Sequence, residues 1–532
     1  MFIQRLKNNI LLPIIVFPFI ANAQPQTHYD YIVIGAGRRC LLRVSRLPDN
    51  YDYIVIGAGP GGVTLASLLA NDNKRVLLID KNAQVGGRMS TISKDGFHYE
   101  AFPFNGVPQH NSRFEELSAR IGKADKVTPI YADNFPQGMG KLYYIDENGT
   151  IRSWKMKSNF TNQFKLFKTL GVKGLKQYSQ TFKVLGKLAK LKPADIEKLY
   201  DISAYDYVES LGEMPKGIKT FILATYSEGA FETSSYQIPA GDMVKMFQVA
   251  MKQSGGRYYE GGVGHFFTVM SEKVTDMGGT VLLNSRVKKI IVENGEAKGI
   301  VIDDGTEYYA PKIISSAGLR QTLLHLVGAE YFDTAFVERI KSYKPNLGFV
   351  GFRYFTNKIV LETPMNIIYP EGCVTEYEYF EKINAGKIKP DRNYLYLGTT
   401  SFYKDCAPEG KQLIYDMVSC PADTNIDPSP YLEYIEEITK RICPQLYDEG
   451  VIYRTEIVTP KDVPFFGNDV ILPGQGGECF GIGNIIGQTG NTRPNATTPI
   501  KNLYIVGNDA AGFGLGTHQA VDSGFNVYEL VK

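Results

Sequence analysis

The sequence predicts an α/β protein: a Rossmann-like dinucleotide-binding domain joined to an α+β domain and a helical cap. Three observations predict it. An apolar strand, a glycine fingerprint, a helix, a second strand and an acid follow one another over 53–80. Lysines and apolar residues recur at helical spacing within 111–250, as in "NQFKLFKTLGVKGLKQYSQTFKVLGKLAKL". Runs such as "LGFVGFRYF" and "RNYLYLGTTSF" read as strands within 319–470.

The chain begins with features of an export signal over 1–23. Arg5 and Lys7 precede the apolar stretch "ILLPIIVFPFI", which is too short for an ordinary transmembrane helix, and Ala21-Asn22-Ala23 offers a small-x-small cleavage site before Gln24. Losing the two basic residues leaves 56 Lys and Arg against 56 Asp and Glu. That balance lacks the basic bias of a nucleic-acid binder. The six cysteines show no C-x-x-C pair and no zinc spacing, and the scattered histidines form no metal constellation. Export would permit disulfides.

The nine residues Tyr-Asp-Tyr-Ile-Val-Ile-Gly-Ala-Gly occur twice, at 29–37 and 51–59. Only the second copy continues into a nucleotide site. The first has Arg38 and Cys40 where the second has Pro60 and Gly62, and "RRCLLRVSRLPDN" offers no extended apolar helical face. Deleting 29–50 would join "ANAQPQTH" directly to an intact fingerprint. The 22-residue unit therefore reads as a local duplication that binds no nucleotide and lies outside the nucleotide sheet or is poorly ordered.

In the second copy, Tyr53–Ile56 is an apolar strand suited to burial on both faces. The loop Gly57-Ala58-Gly59-Pro60-Gly61-Gly62 is the expected phosphate cradle. Gly57 permits the turn, Gly59 lets the backbone approach a pyrophosphate, and Gly62 lets the helix pack on the strand. The following helix presents free N–H groups and a partial positive charge to the phosphates. Val76–Ile79 forms the second strand, and Asp80, followed by Lys81, stands where an acid accepts hydrogen bonds from the adenosine ribose. This fingerprint alone does not separate nicotinamide from flavin dinucleotides.

The continuation does. Gly86-Gly87-Arg88 after the ribose acid resembles the segment found in FAD-dependent oxidoreductases of the amine oxidase and phytoene desaturase superfamily. "YYEGGVGHFFTVMSEKVTDMGGTVLLNSRVKKIIVENGEAKGIVIDDG" is similar to that family's glycine pair, helix, strand and β-ribbon, and "PKIISSAG" to its return strand. "RPNATTPIKNLYIVGNDAAGFGLGTHQAVDSGFNVYEL" resembles the phytoene desaturase, carotenoid isomerase and retinol saturase-like branch.

The resemblance implies FAD as cofactor and a discontinuous nucleotide domain. Its parts are 51–110, 251–318 and 471–532, with a helical cap over 111–250, a substrate-domain sheet over 319–470 and a linker over 24–50. It implies that the backbone at Val287 meets the adenine and that Gly507 with Asn508 or Asp509 lies along the ribityl chain and pyrophosphate. It also implies that the turn Gly512–Gly516, through Gly514, Gly516 and Thr517, brings the last helix to the flavin, where its N-terminus stabilises reduced-flavin charge. His518 is the histidine placed nearest the flavin, with a structural role at the helix start as the alternative. Cys479 stands where monoamine oxidases bond flavin covalently, but Glu478 intervenes and the desaturase branch holds FAD noncovalently.

The expected activity is desaturation, saturation or isomerisation of an apolar polyene, retinoid or fatty-acid-like substrate, with the electron acceptor open. An amine-oxidase-like enzyme using oxygen and a non-catalytic FAD-binding protein are the alternatives. The lysine-rich helices suggest a solvated cap or a peripheral membrane contact.

Overall fold

The strand Tyr53–Ile56 (β1) is buried at every residue because neighbours cover both of its edges and both of its faces. Val76–Ile79 (β2), Thr280–Leu282 (β3), Lys312–Ser315 (β4) and Leu503–Ile505 (β5) complete a parallel sheet in the order β5-β4-β1-β2-β3. Tyr53 pairs with Val76 on one side and with Lys312 on the other. The computed structural model of the protein describes residues 51–102, 112–131, 138, 140–156, 160–252, 257–373, 376–514 and 516–532, all within one compact unit, Leu47–Lys532. The export segment and the first copy of the repeat lie outside the described residues.

Strand alternation sorts the two faces of this sheet. Tyr53, Val55, Val76 and Leu78 pack beneath three helices, Pro60–Asn71 (α1), Val263–Asp276 (α2) and Gly516–Val531 (α3). Ile54, Ile56, Leu77 and Ile79 face the opposite way, onto Ile290 and Ile300 of an antiparallel ribbon built from Val287–Glu293, Glu296–Ile302 and Glu307–Tyr309. Burying such side chains on both faces contributes roughly 1.5–3 kcal/mol each.

A second, mixed sheet of seven strands runs in the order 452–458, 348–356, 412–420, 395–398, 365–370, 140–145, 151–155. Its neighbours are antiparallel except for Met365–Pro370 against Gly140–Ile145. One face packs on the helix Ser429–Ile442 through residues such as Val350, Leu395, Leu397 and Val418. The other carries Phe349, Met365, Ile367, Tyr369 and Tyr396 toward a cavity. Helices including Phe160–Thr169, Gly174–Lys190 and Ala240–Lys252 form the cap.

The stretch 111–250, read as a helical cap and part of the substrate domain, also holds a hairpin of the large sheet, Gly140–Ile145 and Ile151–Lys155. The turn between them is fixed locally. Asp146 Oδ1 accepts from the amides of Asn148 (3.1 Å) and Thr150 (2.9 Å), and Gly149 takes a left-handed φ of +76°. The lysine-rich periodicity that dominates this stretch belongs to the residues after the hairpin.

Candidate functional site

The C-terminal ends of the parallel strands open onto a cavity of about 900 Å³ that continues beneath the cap. At one end its wall is the fingerprint loop. Gly57 holds φ at +93°, and a Cβ on Gly62 would sit 2.0 Å from the carbonyl oxygen of Gly57. A Cβ on Gly61 would meet Gly507 Cα at 2.9 Å, which locks the first and last nucleotide segments together. Gly59 is different: a Cβ there would meet nothing within 4 Å and would stand in the open cradle. α1 begins at Pro60 with no side-chain cap on its amides. Gly57, Gly59, Pro60 and Gly61 line the cavity, whereas Ala58, Gly62 and Gly86 act behind it.

Asp80 holds the loop as well as facing the cavity. Its Oδ2 accepts from Ala58 N (2.6 Å) and its Oδ1 from Asn82 N (2.8 Å). Burial raises its carboxyl pKa, and those two amides and Lys81 oppose the rise. Lys81 does not extend freely toward a ligand; its Nζ donates to Asp469 Oδ1 (2.6 Å) and Pro464 O (2.9 Å). Arg286 reaches the other oxygen of Asp469. Burial alone would raise the Asp469 carboxyl, but the hydrogen bond and charge of Lys81, with Arg286, hold it below the usual carboxylate range. Val287 begins the ribbon at this end of the cavity.

Gly87 packs on the loop, where a Cβ would come 3.3 Å from Gly59 Cα, and Gly86 N donates to Ala58 O (2.8 Å). Arg88 Nη1 donates to Cys479 O (3.3 Å), and its guanidinium lies 3.9 Å from Glu478. At the last segment the structure separates the two candidates of the Asn508–Asp509 pair. Asp509 is engaged with backbone, its Oδ1 accepting from Ile482 N (2.9 Å) and its Oδ2 from Leu319 N (2.8 Å). Asn508 Oδ1 is buried with no partner and lines the cavity. Gly514, Gly516, Thr517 and His518 line the cavity at the start of α3. Burial lowers the His518 pKa, partly offset by Asp522, so its imidazole is neutral at pH 7.

Cys479 lines the cavity, and burial, reinforced by the negative charge of Glu232, pushes its thiol far up. Cys373, Cys406, Cys420, Cys443 and Cys479 are all free thiols. Sequence reasoning missed Asp469 and its neighbours Phe466 and Asn468, which line the cavity from a segment with no fingerprint. It also missed Glu232, an acid in the cavity wall whose surrounding "GAFETSS" carries no catalytic motif.

The residues present fit a dinucleotide. The cradle is main chain, two helix starts face it, and Asn508, a residue of its wall, keeps a buried amide oxygen with no partner. A parallel nucleotide sheet with such a cradle, opening under a second sheet and a helical cap, defines a dinucleotide-binding protein of two-domain flavoprotein architecture. The family model for flavin containing amine oxidoreductases matches residues 60–527, and the chain belongs to that family.

The chain is 23% identical to a 4,4'-diapophytoene desaturase of Methylomonas over 399 residues, covering 71% of this chain and 75% of the relative. It is 25% identical to the neurosporene-forming phytoene desaturase of Rhodobacter capsulatus over 513 residues, covering 88% and 92%. An oxidoreductase from Methanosarcina mazei shares the fold at a TM-score of 0.65 and 16% identity, covering 90% of this chain and 99% of that one. The protein is an FAD-dependent oxidoreductase of that family. Its cofactor supplies two-electron chemistry, and the chain supplies binding, orientation and proton handling.

Proposed function

We propose that the protein acts on a carbon–carbon bond of an elongated apolar substrate, a polyene, retinoid or fatty-acid-like molecule, which it desaturates, saturates or isomerises. The observation that carries this reading is the wall of the cavity beyond the nucleotide cradle. Phe231, Phe349, Ile367, Tyr369, Tyr394 and Tyr396 supply it from the cap and the large sheet. An apolar chain gains most from such a wall, because each buried methylene is worth about 0.8 kcal/mol. The names of the desaturase relatives support the same substrate class.

Within this reading Asp80 takes the adenosine ribose, the Val287 backbone the adenine edge, and Asn508 the ribityl hydroxyls. The α3 N-terminus stabilises negative charge on the reduced ring. Cys479 stays a protonated thiol, and FAD is held without a covalent bond.

A peripheral membrane contact belongs to the same proposal. Leu175 is 90% exposed between Lys173 and Lys176, and Phe182 is exposed further along the same helix. That helix packs on Ala240–Lys252, whose Met246 and Val249 line the cavity. Among the described residues, no helix is long and apolar enough to cross a membrane. Export through 1–23 completes the proposal, and a mature N-terminus at Gln24 in the intact mass would support it.

The deciding experiment is a visible spectrum of the purified protein with anaerobic bleaching or recovery of the flavin bands by retinoids, carotenes, fatty acids and amines. A response to apolar chains supports the proposal; peroxide formation with amines alone would replace it by the amine-oxidase reading. Acid precipitation is expected to leave a colourless pellet and yellow supernatant.

A further inference from the structure

Glu232 is an acid in an unusual place. It follows the short helix Gly229–Phe231, which continues a π-helical segment, Ala224–Glu228, and its own backbone is left-handed at φ +47°, ψ +50°. Glycine or asparagine is the ordinary choice for that conformation, and π-helical segments concentrate at functional sites. Two backbone hydrogen bonds hold the strain: Glu232 N donates to Glu228 O (2.9 Å), and Glu232 O accepts from Leu347 N (2.8 Å). Thr225, Gly229, Ala230, Phe231 and Glu232 all line the cavity, so the irregular segment faces the substrate end.

The side chain is buried, with 2% of the residue exposed. Its Oε2 accepts from Ser419 Oγ at 2.7 Å, and no ion pair to it occurs among the described residues. The titratable groups close to it are Cys420, on the strand Gln412–Cys420, and Cys479, on the segment after Asp469. The charge of Glu232 helps to raise both thiols. Arg88 and Glu478 act on Cys479 from beyond it. Burial holds the carboxyl up at about 8, opposed only by the Ser419 hydrogen bond, so at neutral pH the group is an uncharged acid. A purely structural side chain here would need no proton to give; glutamine would accept the same hydrogen bond.

We propose that Glu232 is the proton donor of this enzyme, its carboxyl protonating one carbon of a substrate C=C bond whose other carbon takes a hydride from reduced FAD. The carboxyl O–H bond breaks, and the π-electron pair forms the first new C–H bond. The hydride's own pair forms the second, the flavin is oxidised by two electrons, and the carboxylate regains a proton from solvent. In the opposite direction the carboxylate accepts the proton that leaves the substrate. The inference rests on the carbon–carbon reading of the site and deepens it: the uncharged acid equips the cavity for saturation, and ionisation equips it for desaturation.

The test uses the FAD-loaded full chain and its Glu232→Gln and Glu232→Asp variants. Infrared difference spectra across pH are expected to show a protonated carboxylic acid that titrates near pH 8 in the wild type and is absent in Glu232→Gln. In a single turnover of the pre-reduced enzyme with all-trans-retinol, phytoene or linoleate in heavy water, the product is expected to gain two deuterium atoms, one from the exchanged Glu232 carboxyl and one from the solvent-exchanged hydride of the reduced flavin. Glu232→Gln is expected to slow flavin reoxidation about 100-fold or more, and Glu232→Asp to recover part of that loss, with flavin content and spectrum unchanged.

A Glu232→Gln rate within a few-fold of wild type overturns the proposal, as does a carboxyl already ionised well below pH 8. If none of the three substrates reoxidises the wild-type flavin, the carbon–carbon reading fails on that arm. The infrared midpoint then decides by itself whether Glu232 is a protonated acid.

Discussion

At the nucleotide end of the cavity the wall is main chain. Gly57, Gly59 and Gly507 bring backbone to the surface, and the side chains nearby mostly hold that backbone, as Asp80 does for Ala58 and Asp509 for Leu319 and Ile482. At the substrate end the wall is side chain. Phe349, Ile367 and Tyr396 come from three strands of one sheet, and Phe231 and Glu232 from an irregular turn of the cap. Backbone built for one ligand tolerates no Cβ at its tightest points, whereas a wall of side chains can be changed one residue at a time. The first end is therefore expected to respond to any added side chain by losing its ligand, and the second to respond by changing which ligand it accepts.

Four substitutions and one deletion test that contrast. Gly62→Val should have the largest effect, because its Cβ alone would stand 2.0 Å from Gly57 O. Loss of nearly all bound FAD, read as the flavin-to-protein absorbance ratio, is expected; full retention would break the main-chain account.

Glu232→Gln should come next, and in the direction of greater stability. The folded carboxyl titrates near 8, above its unfolded value, so the folded state binds more protons between those values and wild-type stability falls as pH rises through that window. The variant's gain in thermal midpoint should be absent at acid pH, grow up to about pH 8 and then level, reaching a few kcal/mol at most. A gain independent of pH would contradict an acid buried without a cationic partner.

Asp509→Asn should lower stability by roughly 1–3 kcal/mol in urea unfolding, since two buried amides lose a charged acceptor. Asn508→Ala should leave stability nearly unchanged and weaken FAD binding by about tenfold, a single hydrogen bond's worth. The reverse pattern would exchange the roles of the two neighbours. Removing 29–50 should change flavin content least of all, because β1 already has a strand on each side from 76–79 and 312–315.

The same contrast explains what could be read from the chain. The strand, glycines, helix and acid of 53–80 must be contiguous to cradle a phosphate, so their order is visible as a motif. The glycine pair at Gly86 and Gly87 and the Gly507 turn were legible for a related reason: all three hold a positive φ, at +112°, +55° and +113°, which favours glycine. Asp469 was not legible, because its function depends on Lys81 and Arg286 arriving from positions far apart in sequence. Nor was Glu232, whose chemistry arises from burial and from a left-handed turn that its local sequence does not announce. The hairpin 140–155 was hidden by the longer helical pattern that follows it. In the pair Asn508–Asp509 the sequence supplied both candidates, and only the hydrogen bonds separate them.

The order of strands in the nucleotide sheet also sets a timetable. β1 and β2 emerge early in synthesis, β3 and β4 only after two hundred intervening residues, and β5 with α3 after nearly two hundred more. Contacts of such long sequence separation make folding slow and leave early elements waiting with unpaired edges. A nascent chain through Ser315 holds four of the five strands but lacks Gly507, Asn508 and the α3 N-terminus. Flavin capture is therefore expected only once residues 503–531 have been made, and nascent chains stopped before residue 503 should show no flavin fluorescence change on addition of FAD. On that order, bound flavin would report that β5 and α3 have joined the sheet.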